Sequence, residues 1–288
     1  LAIFFALLAV LASSSVKAQP ASRTKPLVIA SIAPHAYFAK RIGGPAIEVM
    51  TLLPPGSSPH SFEPTPRQIA LAAEATAYFQ SGVEAENTVL PKLEALNRRL
   101  VIFDVNEGIE LRHADDSKHA GKSDPHVWLS PRLAKTEARN IYLGLTKIDP
   151  KHVTLYEQNL NALLTELEML DREITKTFHP LAGRTIYVFH PAFGYFAQSY
   201  GLKEVAIAHE GKEPGAAQLA ALIDMARRDG VKSIFVEPQF SSKTADVIAH
   251  SVGASVVSID PLAEDYMTNM KKIADLIAQA LKDRENTL

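Results

Sequence analysis

Three histidines and one aspartate in this chain share a local setting in which each adjoins a proline. They are His60 in Pro59-His60-Ser61-Phe62, His126 in Asp124-Pro125-His126-Val127-Trp128, His190 in Val188-Phe189-His190-Pro191, and Asp260 in Ser258-Ile259-Asp260-Pro261. Proline restricts the backbone beside each group, which reduces the entropy lost when the groups are ordered together. Three imidazoles and one carboxylate form a zinc-type donor set. Imidazole is borderline in softness, whereas manganese sites lean on carboxylates, so the composition of the set favours Zn²⁺ over Mn²⁺. Formal counting leaves such a complex with a charge of about +1. Imidazole ligates only when neutral, so affinity is expected to fall as pH drops through about 6 to 7.

Groups so far apart in sequence can meet only if the fold carries them to one place. Short β-rich runs at 27–32, 47–53, 77–81 and 101–105 alternate with helical stretches at 36–42, 66–75 and 89–96. The second half repeats the scheme, with strands at 184–189, 204–208, 233–237 and 255–259 and helices at 216–228, 242–251 and 265–281. This alternation predicts an α/β fold of two lobes, each with a central, mostly parallel sheet flanked by helices. Between them, residues 151–178 place Leu155, Leu160, Leu163, Leu164, Leu167, Leu170 and Ile174 at helical spacing, with no internal Pro or Gly. That pattern predicts one long rigid helix of ~40 Å, a strut that keeps relative lobe motion small. The expected organisation is a first lobe at 25–147, the long helix at 148–179 and a second lobe at 180–288. Open α/β sheets bind ligands beyond the carboxyl ends of their strands. The ligand candidates lie close to such ends or in the connections after them, with His60 and His126 in the first lobe and His190 and Asp260 in the second. A cleft between the lobes would collect all four.

The 288 residues are 47% hydrophobic and 22% charged, enough for a sizeable core, and the net charge of −2 offers no basic field to gather nucleic acid. The apolar run at 1–11, followed by Ser13-Ser14-Ser15-Val16-Lys17-Ala18, reads as the h-region and cleavage site of an export signal. The signal is expected to occupy residues 1–18, with the sequence starting inside it and cleavage near Ala18. Cysteine is absent, so a metal site must use nitrogen and oxygen donors, and no lipid-accepting cysteine follows the signal. A monomeric periplasmic protein is the expectation.

The stretches Pro-Gly-Ser-Ser-Pro-His-Ser-Phe-Glu-Pro-Thr-Pro at 55–66, Asp-Pro-His-Val-Trp-Leu-Ser-Pro at 124–131, Phe-His-Pro-Ala-Phe-Gly-Tyr-Phe at 189–196, Phe-Val-Glu-Pro-Gln-Phe at 235–240 and Ile-Asp-Pro-Leu at 259–262 resemble the metal-binding solute receptors of bacterial ABC importers, the ZnuA-like and TroA-like group. The likeness spans nearly the whole mature chain. It implies two lobes bridged by a rigid helix, one Zn²⁺ per chain held between them, and delivery to an inner-membrane permease with its ATPase. The ligands it implies are His60, His126, His190 and Asp260. In relatives that handle manganese, the position matching His190 is typically Glu, which again favours zinc. Many zinc members carry a long His-rich loop, whereas the matching segment here holds only His113 and His119. Some carry an acidic residue just before the first ligand; Pro59 stands there, so Asp260 or water must complete the shell.

Other chemistry-bearing residues carry plainer expectations. Residues 112–122 have no apolar period and read as a surface loop whose His113, Asp115, Asp116 and His119 are either solvated or a weak accessory trap for metal. Glu237 either hydrogen-bonds a ligand histidine or caps the following turn. Trp128 is expected to pack against the helix beginning near Ser130. His209 and Glu210 read as ordinary polarity, His35 as part of a helix start that could line the cleft, and His152, His179 and His250 as surface or packing residues. Two functions compete with capture and transport of the ion. Zinc with an open position could activate water, but no His-Glu-x-x-His element is present and a fourth protein ligand closes the shell. A surface adhesin is disfavoured by the missing lipid-anchor cysteine. The same site is also compatible with Mn²⁺ or Fe²⁺ as cargo, and no enzymatic activity is expected.

Overall fold

The computed structural model describes residues 24–113, 123–208 and 214–283. The first lobe contains β1 (Leu27–Ala30), α1 (Ala33–Gly43), β2 (Glu48–Thr51), α2 (Pro66–Ala72), β3 (Ala77–Gln80), α3 (Glu86–Leu96), β4 (Val101–Asp104) and α4 (Pro131–Ile148). The helix α5 (Val153–Phe178) leads into a second lobe of β5 (Thr185–Val188), α6 (Gly194–Ser199), β6 (Lys203–Ala206), α7 (Ala216–Arg228), β7 (Ser233–Val236), α8 (Lys243–Val252), β8 (Ser255–Ser258) and α9 (Tyr266–Asp283). The strands form two four-stranded sheets in the orders β2-β1-β3-β4 and β6-β5-β7-β8. Every pairing is parallel. Each sheet therefore reverses its winding direction once, between β1 and β3 in one lobe and between β5 and β7 in the other, and such crevices receive ligands in open α/β sheets.

The expected strands are each present, most of them one or two residues shorter at an end, β2 and β5 at both ends, while β6 begins one residue earlier. The residue that leaves the ladder is in several cases a buried polar one, such as Ser31, Ser81 and Glu237. Two helices that the sequence pattern did not delimit, α4 and α6, flank the first-lobe and second-lobe site segments. The α4 helix starts where Ser130 caps it, its side chain accepting from the Leu133 amide, with Pro131 at the first position. The close seat of α4 on its sheet depends on Gly144, where a Cβ would come within 2.6 Å of the Phe79 ring.

The strut spans 26 residues, ~39 Å at ~1.5 Å per residue. It buries Tyr156, Leu160, Leu163, Leu167, Leu170, Ile174 and Phe178 along one stripe. A single apolar core runs from the first sheet through this stripe to Ile186, Val188, Phe196 and the inner face of α9. A second core fills the outer face of the C-terminal sheet, around Tyr187, Phe189, Ile234, Val236 and Ile248. The lobes thus share one hydrophobic interior, and a large hinge motion would expose it. Polar ties reinforce the strut: Arg41 makes a two-pronged contact to Glu166 at 2.7 and 2.9 Å, and Asn159 Nδ2 donates to the Ile42 carbonyl at 2.9 Å. No helix among the described residues is long and apolar enough to cross a membrane.

Candidate metal centre

Each histidine reaches the interlobe cleft from a differently built segment. After β2, a turn closed by the Ser57 amide on the Pro54 carbonyl, with Gly56 at φ 78°, leads to His60. Before His126, the Asp124 carboxylate accepts from the His126 backbone amide at 2.9 Å and lies 2.7 Å from its Nδ1. The segment then tightens into a 3-10 turn over Val127–Leu129 that drives Trp128 into the core. His190 stands two residues beyond Val188, the end of β5, where the second sheet changes winding direction.

The three side chains converge on one point. His60 Nε2 lies 3.1 Å from His190 Nε2, and His126 Nε2 lies 3.3 Å from the same atom. One ligand atom from each of the three falls within 4.8 Å of the others. Tetrahedral zinc with Zn–N bonds of ~2.0–2.1 Å separates its nitrogen ligands by ~3.3 Å, so the observed gaps match a shared ion. The tautomers agree with this. His60 Nδ1 lies 3.2 Å from Glu84 Oε2 and His126 Nδ1 lies 2.7 Å from Asp124 Oδ1. Carboxylates accept, so both Nδ1 atoms carry the hydrogen and both Nε2 atoms present lone pairs. Two lone pairs aimed at a third imidazole nitrogen are an arrangement that could hold a cation.

Electrostatics favour the ligating form of His190. Burial, then the neighbouring His126 and His60, hold its imidazole well below the usual histidine range, so it is neutral with a lone pair available at neutral pH. Two carboxyls lie near it, Glu237 buried and Glu204 half-buried. Burial pushes Glu237 up to about 8, aided by Glu204 and Asp260, and burial pushes Glu204 up to about 7, while the Phe193 amide donates to Glu204 Oε1 at 2.7 Å. The backbone amides of His190 and of Glu237 itself restrain the rise at Glu237, while the His190 imidazole makes no side-chain hydrogen bond to Glu237, its Nδ1 being buried without a partner among the described residues.

Asp260 is held apart from the three histidines. Its Oδ1 accepts from Gln239 Nε2 at 2.9 Å and from the Leu262 amide at 3.0 Å, and its carbonyl accepts from Asn269 Nδ2 at 2.7 Å. The group of candidate ligands among the described residues comprises His60, His126 and His190 alone. Gln239, Pro261 and Leu262, which flank or bind Asp260, nevertheless line the same recess as the histidines, with Phe240 and Trp128. That recess holds about 20 Å³, room for one ion or water and for no organic substrate. A larger open cleft of about 570 Å³ lies elsewhere, between Arg132 on α4 and the end of α5 with His179 just beyond it, and its Arg132 and Arg172 already pair with Asp171 and Glu168.

The remaining expectations resolve case by case. His35 does not line the cleft: it is fully buried in α1, with Nδ1 2.7 Å from Ser81 Oγ and Nε2 3.0 Å from Glu137 Oε1. That Ser-His-Glu set mimics a nucleophilic triad, but all three residues have zero exposure and meet no solvent. Trp128 presents its ring edge to His35 and packs against His126 at 5.2 Å. His152 pairs with Asp149 at 2.7 Å. His113 bridges to Ser123. Residues 1–18, Asp115, Asp116, His119, His209 and Glu210 lie outside the described residues. Sequence reasoning missed Asp124 and Glu84 as partners of ligand histidines. The first was visible as an acid two residues before His126 across a proline, whereas Glu84 had no local signal.

Residues 28–280 match the family described as zinc-uptake complex component A, periplasmic. The high-affinity zinc uptake system protein ZnuA of Bacillus subtilis (strain 168) is 33% identical over 276 residues, covering 91% of this chain and 86% of that protein. The manganese ABC transporter substrate-binding lipoprotein PsaA of Streptococcus anginosus is 27% identical over 98% of this chain and 97% of its own length. A crystal structure of ZnuA superposes with a TM-score of 0.85 at 40% identity, covering 89% of this chain and 99% of that one.

Proposed function

The chain belongs to the zinc-uptake complex component A family, and from that premise we propose that it captures one Zn²⁺ in the periplasm and delivers it to an ABC importer. The observation that carries this is the convergence of three imidazole nitrogens at 3.1 and 3.3 Å spacing, two of them with their lone pairs fixed by carboxylates. His60, His126 and His190 are the protein ligands. Asp260 is the fourth, entering the shell by exchanging its Gln239 and Leu262 contacts for the ion; water fills that place until it does. The ion is cargo, handed on to a permease coupled to an ATPase, and the chain acts as a monomer after cleavage of its signal near Ala18. Its two lobes span 25–147 and 180–288 and are joined by 148–179.

A relative handles manganese, but three nitrogen donors favour zinc over manganese here. Hydrolysis is disfavoured because the recess admits no substrate beside the ion. Titration calorimetry of metal-free protein is expected to give one Zn²⁺ per chain, bound more tightly than Mn²⁺. Melting should shift upward with free zinc, by about 4 kcal/mol of added stability at a thousandfold excess over Kd. Absence of a saturable single site, or a manganese preference, contradicts the assignment.

A further inference from the structure

His126 belongs to the first lobe by sequence, yet its segment is fastened to the second. Tyr195 Oη on α6 donates to the Asp124 carbonyl at 2.8 Å and accepts from the Arg112 amide at 2.8 Å. On the other side of His126, the Trp128 indole donates to the Pro261 carbonyl at 2.9 Å, and Tyr266 Oη donates to the Trp128 carbonyl at 2.7 Å. Ser130 Oγ and Ser199 Oγ complete the seam at 2.7 Å. Trp128 and Tyr266 are buried, where a lost hydrogen bond leaves an unpaired polar group rather than a hydrated one. The segment carrying His60 is tied to its own lobe through Ala85 N on the Pro59 carbonyl and Glu84 on the imidazole, and its ring meets Phe240 of the second lobe at 6.3 Å. His60 also has its side chain 23% exposed, against 10% for His126, and His190 is buried.

We propose that Tyr195 and Trp128 are positioning residues that make His126 a fixed part of the second lobe's half of the site, leaving His60 as the ligand through which the ion enters and leaves. The chemistry follows from the connections. Tyr195 holds Asp124, and Asp124 fixes both the orientation and the tautomer of His126, while Trp128 ties the turn after His126 to the loop that bears Asp260. With His126 and His190 moving as one unit, opening of the site begins at His60, the most exposed of the three.

The proposal rests on zinc being the cargo of the three histidines, and its test separates the two. Zinc dissociation would be timed by chase with a chromophoric chelator in the wild type, Tyr195→Phe, Trp128→Phe and Tyr156→Phe. The last removes a buried hydroxyl that donates to Asp149 far from the cleft. Tyr195→Phe and Trp128→Phe should each speed release about tenfold, the lower end of what partners of metal ligands contribute. Tyr156→Phe should lower the melting temperature and leave release unchanged. In a His126→Ala background, Tyr195→Phe should no longer affect zinc affinity, because it acts through the missing imidazole. Release at the wild-type rate in both cleft variants, or an undiminished effect of Tyr195→Phe without His126, overturns the proposal while leaving zinc capture intact. If Tyr195→Phe does not fold, the release rate of Trp128→Phe, altered on the opposite side of His126, decides the matter in its place. A wild type that binds no zinc overturns the function and the positioning role together.

Discussion

Replacing His190 by Ala is expected to weaken zinc binding by two to three orders of magnitude while leaving the metal-free fold nearly as stable as before. His190 Nε2 is the atom that both other imidazoles face, at 3.1 and 3.3 Å, so its loss removes the centre of the donor set. Structural zinc sites yield about 10–16 kcal/mol from four ligands. One ligand is then worth about 3–4 kcal/mol, or ~100–1000-fold in Kd at 1.4 kcal/mol per decade. The stability half of the expectation has a separate basis. His190 is buried with Nδ1 unpartnered, so the metal-free fold already bears a desolvation cost that Ala removes, offsetting the packing lost with the ring. Competition titration against a chelator reads the affinity and thermal melting reads the stability. An affinity loss below tenfold would place the ion elsewhere.

The largest effect on folding should come from Glu137→Leu, with a loss of about 3 kcal/mol and a melting temperature lower by ~6–12 °C for a chain of this size. Glu137 is buried at zero exposure and accepts from His35, whose other nitrogen meets Ser81, all beneath Trp128. The variant strands a buried imidazole nitrogen among apolar neighbours, where no water replaces the lost partner. Pairing it with His35→Phe should recover part of the loss, since the stranded imidazole goes with it and only the smaller Ser81 hydroxyl loses its partner. Thermal unfolding of the single and double variants measures both; a single variant that melts with the wild type would show the buried pair to be energetically idle.

Much of the fold was legible because parallel α/β units write themselves in short apolar runs and amphipathic helices. The bounds of α7 match the pattern residue for residue, and the long helix begins at Val153 only because Pro150 starts a short 3-10 turn before it. The helix α6 escaped because six residues, Gly194–Ser199, carry too few turns for a period to emerge. The two-lobe pattern also concealed that one core crosses both lobes, since shared burial along α5 leaves no local mark.

The site was legible where chemistry is local and obscure where it depends on partners distant in sequence. Proline-flanked histidines marked His60, His126 and His190, and the fold brings them together. His35 carried the same Pro-His signature in Pro34-His35 yet faces the interior, because α1 turns that side toward Ser81 and Glu137. Asp260 matched the expected motif, but only the folded chain reveals Gln239 competing for its carboxylate. The seam from Tyr195, Pro261 and Tyr266 to the His126 segment had no counterpart in sequence, since each of its bonds joins residues dozens of positions apart.

Everything proposed for this chain turns on the imidazoles of His60, His126 and His190 sharing a single zinc ion between the lobes. Diffraction from zinc-loaded crystals, recorded on either side of the zinc absorption edge, bears on that directly. One strong anomalous peak is expected about 2.0–2.1 Å from the three Nε2 atoms. A peak at any other position, with the three imidazoles left uncoordinated, would show that the ion is held elsewhere.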